Sequence, residues 1–205
     1  NVYIKAWREI SRCLGVYVRV ALKMKNSEPG QPSVDEPLLC ANIDDLTAIA
    51  ARMKKMPLEE LANISATGDL LDALRLLASR QSSFKPAAQM VLRLAAVADI
   101  EGASPIRDLL RQLFQVALAG TEADDRRRRE ALADALDEDD PRIRRACVEA
   151  LGAMLQTYIS RSADFEQIGA EPYRTEWTPA DQETIFGYFR WALERLLDVW
   201  RASPD

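Results

Sequence analysis

The residue types that most often carry out chemistry are scarce or poorly spaced in this chain. It contains no histidine, so the commonest general base and the imidazole metal ligand are both missing. The three cysteines, Cys13, Cys40 and Cys147, are odd in number and too far apart for a metal-type spacing. We therefore expect free or buried thiols in a reducing compartment, cytoplasm or nucleus, and neither a metal nor another cofactor.

Acids, arginines and tyrosines remain as candidates for catalysis. The chain has no phosphate-binding glycine loop and no nucleophile elbow, the two arrangements that would organise such residues for phosphoryl or acyl transfer. With a sequence pI of about 5.0, it also lacks the basic balance that a duplex-binding surface needs. The sequence predicts that the protein is not an enzyme.

Four consecutive arginines, 126–129, could meet phosphate groups. Between Glu122 and Glu149, however, seven arginines face ten acids, a local net charge of −3. Four successive residues also point all round a helix, at about 100° each, so they cannot form one patch. We expect a solvated, salt-bridged helix surface here, with a phosphate site as the alternative.

A basic stripe is predicted on a helix at residues 1–25, although residues 16–20 are β-branched enough to form a strand instead. Its members fall within an arc of about 60°, and they are Lys5, Arg8, Arg12, Arg19 and Lys23. Six bases and one acid give this segment a net charge of +5, which leaves −10 for the rest of the chain. The stripe either faces solvent or the acidic body of the same molecule, or it binds an anionic partner: an acidic protein segment, RNA, DNA or a lipid surface.

Thr178, Pro179 and Asp181 predict the start of a last helix, over 178–202. One side of that helix is strongly apolar and is expected to face the core: Ile185, Phe186, Phe189, Leu193, Leu196, Leu197 and Trp200. Trp191 projects to the opposite side and Tyr188 lies towards the flank, so both are candidate partner-binding residues. The alternative is that the preceding loop, with Phe165, Tyr173 and Trp177, covers Trp191.

The body between these ends is predicted to be helical, because it is poor in glycine and rich in alanine, leucine, arginine and glutamate. Prolines, glycines and capping residues divide it into helices from about 43, 68, 86, 105, 122 and 141, the one from 105 running to about 119. The predicted organisation is a basic helix (1–25), a flexible linker (26–42) and a helical domain (43–205) made of an array (43–160), a loop (161–177) and the last helix.

A period of 36 to 37 residues relates three of these helices. Leu70, Ile106 and Ile143 are equivalent, as are Ala73, Leu109 and Ala146, and Leu77, Leu113 and Ala150. Such self-similar spacing is typical of stacked helical hairpins. Leu136-Asp137, Pro141, Ile143-Arg144, Ala146 and Ala150-Leu151-Gly152 resemble the second helix of a HEAT repeat, most clearly over 123–157. The resemblance implies an all-α array of antiparallel helical hairpins, with the basic helix and the aromatic C-terminal helix as additions.

These features predict a non-catalytic scaffold or adaptor that presents a helical surface to a protein or peptide partner. The alternative is a nucleic-acid-associated factor that uses the basic first helix. Residues 56–78 also look somewhat similar to the helical N-terminal domain of transcription elongation factor S, whose relatives bind short disordered peptides. No apolar run approaches the roughly 20 residues of a membrane span, and the chain lacks a signal-peptide pattern, so we expect an intracellular protein.

Overall fold

The computed structural model describes residues 56–62, 68–98, 104–157 and 175–202. All regular secondary structure in these residues is α-helical, which confirms the all-α class. The helices are α1 (Leu58–Ala62), α2 (Gly68–Ser79), α3 (Phe84–Val97), α4 (Pro105–Phe114), α5 (Asp125–Leu136), α6 (Pro141–Met154) and α7 (Gln182–Ala202). The predicted first helix, the linker and most of the loop over 161–177 lie outside the described residues.

Helix α6 begins where the sequence predicts, at a capping acid followed by a proline. The Asp140 carboxylate accepts a hydrogen bond from the Arg142 backbone N–H at 2.8 Å, and Pro141 occupies the first helical position. Asp124 caps α5 in the same way, accepting from the Arg127 N–H at 2.8 Å. Both carboxylates satisfy a backbone donor that the helix itself leaves unpaired and lie at the positive end of the helix dipole.

Four predicted boundaries are wrong. Helix α3 begins at Phe84, two residues before Pro86, and α5 begins at Asp125 and not at about 122. Helix α4 ends at Phe114 and not near residue 119, because Gln115 leaves the helical conformation (φ −59°, ψ 146°); Leu118 and Gly120 then adopt left-handed backbone angles (φ 54° and 70°). Helix α7 begins at Gln182 and not at 178: Asp181 accepts from the Thr184 N–H at 2.8 Å, while Pro179 lies in the segment without regular secondary structure before it.

Helix α3 lies at the centre of the packing and contacts α1, α2, α4, α5 and α6. Helix α6 also packs against α4, α5 and α7. All nine residues of the predicted period are buried: Leu70, Ala73, Leu77, Ile106, Leu109, Leu113, Ile143, Ala146 and Ala150. The apolar stripe predicted for each of the three helices therefore faces the core, as the spacing indicated.

The segment before α7 is fixed to the loop between α4 and α5. The Trp177 backbone N–H donates to the Thr121 carbonyl at 2.9 Å, and the Gly120 N–H donates to the Glu176 carboxylate at 2.7 Å. In the same α4–α5 loop, the Glu122 N–H donates to the Ser79 carbonyl at the end of α2 at 2.9 Å. These bonds give hydrogen-bond partners to backbone groups that lie outside any helix. They also hold the segment that leads into α7 against the α4–α5 loop.

Candidate interaction surface

The basic stripe of the sequence lies outside the described residues. Its members are Lys5, Arg8, Arg12, Arg19 and Lys23. Their arrangement on a helix, and their role in binding an anionic partner, stay predictions. The candidate surface is therefore built from the residues between 56 and 202 that the structure describes.

The structure places Tyr188 and Trp191 on the side of α7 that packs against the body. Tyr188 is completely buried, and its hydroxyl donates to the Phe114 carbonyl at the end of α4 at 3.0 Å. Trp191 is half-buried and packs against the core cluster. The expectation that Trp191 projects away from the core is wrong, and Tyr188 cannot touch a partner in this conformation. Of the three loop aromatics expected to cover Trp191, only Trp177 is described, and its ring lies over Arg128.

Four large apolar side chains of α7 point into solvent instead. They form what we call the α7 stripe: Phe186 (59% exposed), Leu193 (51%), Leu197 (48%) and Trp200 (72%). At about 100° per residue they fall within an arc of about 60°, and they span about 21 Å of helix. The prediction that this side of the helix faces the core is therefore wrong for its four most prominent members.

The apolar arc of α7 is wider than its neighbours cover. Tyr188 and Ala192 are buried in the contact with the body, and Phe189 and Leu196 are half-buried beside them. The α7 stripe continues the arc on the solvent side. A small alanine allows close approach of the helices, and a tyrosine that finds a carbonyl acceptor can be buried entirely. The width of the arc was the available signal, because a helix apolar over more than half its circumference needs a second neighbour.

Arg128 is the most deeply buried charged residue among those described, with no exposed surface. Its guanidinium donates from Nε to the Ala123 carbonyl at 3.0 Å and from Nη1 to the Gln115 carbonyl at 2.6 Å. The centre of the guanidinium lies 4.9 Å from the centroid of the Trp177 ring, a cation–π contact. Arg128 thus connects α5, the α4–α5 loop and the segment that leads into α7.

Two of the other three arginines of the run are paired within their own helix. Arg126 lies 3.8 Å from Glu130, and its side chain is 70% exposed. Arg129 pairs with the Asp125 carboxylate one turn earlier. One member is thus buried and two are paired with acids of α5, so these three do not form one exposed basic patch.

A shallow cavity of about 320 Å³ lies between α4 and α6. Its most buried acid, Glu149, accepts from Arg107 Nε at 2.9 Å and pairs with Arg111 Nη2 at 2.7 Å. Gly152 lines the cavity, and no atom lies within 4 Å of the position that a Cβ would take there. Because one carboxylate already joins both guanidiniums, their charge is largely satisfied within the protein.

The buried cysteine and the buried tyrosine are held in their neutral forms. Burial raises the pKa of the Cys147 thiol to about 12, with Glu138 adding to the effect. Burial likewise raises the pKa of Tyr188 to about 12. Neither group ionises near neutral pH, so neither has the properties of an activated nucleophile. The described residues contain no cluster of three or more histidine, cysteine, aspartate or glutamate side chains that could hold a metal ion.

None of the described helices is both long enough and apolar enough to cross a bilayer. Comparison of the chain with protein-family models, with curated proteins and with solved structures found no match in any of the three.

Proposed function

We propose that the protein is a non-catalytic interaction module whose contact surface is the α7 stripe. One observation carries this proposal: Phe186, Leu193, Leu197 and Trp200 are about half to three-quarters exposed, at helical spacing, on one 21-residue helix. Scattered exposed apolar residues are normal on a protein surface, but a contiguous row of aromatic and leucine side chains marks an interaction site. The partner that fits such a row is another amphipathic helix.

The architecture proposed for the body is a HEAT-like stack of helical hairpins. Its support is the common register of α2, α4 and α6, whose equivalent apolar positions are all buried. In such a stack each helix pair covers the apolar face of its neighbour. Among the described helices, α7 packs chiefly on α6, and its second apolar face lies on the side away from that contact.

The proposed role needs no reaction at this surface. Aromatic and leucine side chains provide burial on binding but hold no proton-transfer or nucleophilic group. The ionisable core residues are used structurally, Tyr188 by its bond to Phe114 and Cys147 by burial within α6. Three of the four arginines in the run have partners within the protein, which leaves little of its charge for a nucleic acid.

Site-specific photo-crosslinking tests the proposal directly. A benzophenone amino acid placed at Leu193 in the full chain, expressed in cells, is expected to capture a protein in a discrete adduct. The matched control places the same group at Asp198, which is exposed on α7 but lies about 120° away from the stripe around the helix. Equal labelling from both positions, or no protein adduct from Leu193, would refute an interaction role for the stripe.

A further inference from the structure

Four charged residues line one edge of the α7 stripe. In chain order they are Glu183, Arg190, Glu194 and Arg201, all exposed. At about 100° per residue they lie within an arc of about 40°, directly beside the stripe. Their signs alternate along the helix: negative, positive, negative, positive. We call this row the charged edge.

The charged edge makes little use of its charges within the described part of the chain. Arg201 approaches Asp198 at 3.7 Å, and no other ion pair of an edge residue is present there. The acids and bases of the edge therefore remain available to groups that approach alongside the stripe. Any partner that covers the stripe must bring suitable charges to them, or leave them facing solvent.

The order of the charge signs is inverted when the helix is read from its other end, so the charged edge is complementary to an antiparallel copy of itself. When two copies of α7 lie antiparallel, the same edge of both helices comes together on one side of the twofold axis. Glu183 then faces Arg201 of the other copy, and Arg190 faces Glu194. Both pairings have residue numbers that add to 384, so a single register satisfies them. Symmetry repeats each pairing, which gives four opposite-charge contacts and no like-charge contact.

Nearly the same register matches the α7 stripe to itself. When Leu193 lies beside the twofold axis, Phe186 of one copy meets Trp200 of the other, and Leu197 meets Phe189. These pairings add to 386, so the two registers are offset by two residues between the helices, a rise of about 3 Å that an arginine side chain spans. A parallel pair would instead bring the charged edge of one copy against the edge that carries Phe189 and Leu196.

We propose that the α7 stripe binds the α7 stripe of a second copy of this chain in an antiparallel, twofold-symmetric helix pair. The inference rests on the proposed function, since it names the partner of the same surface. The four stripe side chains offer about 400 Å² of apolar surface per copy. With the charged edge and the half-buried Phe189 and Leu196, the total buried area reaches the roughly 1,000 Å² that a specific interface needs. Because an area of this size lies at the lower end for specific complexes, we expect a reversible dimer with a dissociation constant on the order of micromolar.

Sedimentation equilibrium of the full chain tests the pairing. Wild type is expected to dimerise, and Leu193→Glu to raise the dissociation constant by about 100-fold or more, because two carboxylates would be buried beside the axis. Arg190→Glu or Glu194→Arg alone should raise it about tenfold, since each creates two like-charge contacts. The double variant Arg190→Glu/Glu194→Arg should return to within about threefold of wild type.

An equimolar mixture of the two single charge variants gives an independent readout. Their mixed dimer has only opposite charges across the axis, so it should be tighter than either parent alone. Circular dichroism checks that every variant keeps its helix content, which is expected because all three positions are exposed. The stripe and the charged edge are thereby tested in the folded protein.

A full chain that stays monomeric at about 200 µM, or a double variant as weak as its single parents, would overturn the self-pairing. Either result, together with crosslinking from Leu193 to a different protein, leaves the proposed interaction role standing. A monomer in which Leu193 captures no protein at all removes both proposals. If a segment of the same chain covers the stripe, the protein stays monomeric and Leu193 captures no other protein, so this case also removes both proposals.

Discussion

Replacing Arg128 by methionine should destabilise the protein strongly, whereas the same change two residues earlier should not. Methionine fills a similar volume but donates no hydrogen bond, so the Ala123 and Gln115 carbonyls would lose a charged donor in a buried site. Arg126 is the matched control, because it belongs to the same run and helix and its side chain is 70% exposed.

The expected magnitude follows from the three contacts of the Arg128 side chain. Each hydrogen bond from a charged donor contributes about 1.5–3 kcal/mol net, and a desolvated cation–π contact about 1–2 kcal/mol. Removing the burial cost of the guanidinium and gaining apolar contacts offset about 2 kcal/mol of this loss. We therefore expect Arg128→Met to lower the free energy of unfolding by about 3 kcal/mol, and Arg126→Met to change it by less than about 0.5 kcal/mol.

Urea denaturation followed by circular dichroism at pH 7 measures both variants, and a melting temperature lower by about 9 °C should accompany Arg128→Met. Arg128→Lys separates charge from geometry: an ammonium keeps the charge but cannot reach both carbonyls while lying flat against the Trp177 ring. We expect lysine to recover less than half of the loss. The reasoning is refuted if Arg128→Met unfolds within 1 kcal/mol of wild type, or if the lysine variant matches wild type.

Three further predictions concern buried groups. Tyr188→Phe should lower the free energy of unfolding by about 1 kcal/mol at pH 7. The native pKa of Tyr188, about 12, lies above the ordinary value of 10.0, so between pH 10 and 12 the native protein keeps this proton while the unfolded chain releases it. Wild type therefore loses stability as the pH rises through this range, and urea titrations should show the phenylalanine variant losing less. Native Cys147 should resist iodoacetamide in peptide mapping by mass spectrometry and react only after unfolding; rapid labelling of the folded protein would contradict its burial. Glu149→Gln should lower the free energy of unfolding by about 2–3 kcal/mol through the loss of its pairs with Arg107 and Arg111, and the exposed control Asp108→Asn by less than about 0.5 kcal/mol; equal urea midpoints would contradict this difference.

Local sequence signals predicted the helices well where a residue caps or restricts the backbone next to it, or where apolar residues recur at helical spacing. Pro141 with Asp140 marked the start of α6, and the apolar spacing from Leu70 to Leu77 marked the buried side of α2. The end of α4 could not be seen in this way, because residues 115–119 are apolar enough to continue a helix. Their turn is fixed by tertiary partners, among them the Arg128 guanidinium on the Gln115 carbonyl.

The burial of Arg128 shows a second limit of pattern reading. Four successive arginines must point in different directions, so one of them had to approach the body of the protein. Composition favours charged residues on the outside, and only the carbonyls of residues 115 and 123, together with the Trp177 ring, make the inward position favourable. Those partners are far apart in the sequence or unmarked by residue type, so no spacing rule indicated them.

The orientation of α7 was predicted wrongly because hydrophobicity alone does not determine which of two apolar faces of a helix packs against the core. Trp200 and Phe186 are the bulkiest apolar residues on one side, yet the helix packs through Tyr188 and Ala192. Ala192 allows the backbones of α6 and α7 to come close, and the Tyr188 hydroxyl reaches the Phe114 carbonyl. A face with a small residue and a satisfied hydroxyl thus outcompeted a larger apolar face that offered neither.

The same geometry separates the stability of α7 from its proposed binding. The helix is anchored from one side, by Tyr188 and Ala192 and by the preceding segment whose Trp177 covers Arg128. The α7 stripe lies on the other side and is not part of the hydrophobic core that the described residues form. Changes at Leu193 should therefore alter association while leaving the urea midpoint within about 0.5 kcal/mol of wild type. Changes at Tyr188 or Arg128 should lower stability first, and should weaken association only as far as α7 loses its place. If both groups of variants instead lost stability and association in parallel, the stripe would have to be part of the core, and an interaction surface on α7 would no longer follow.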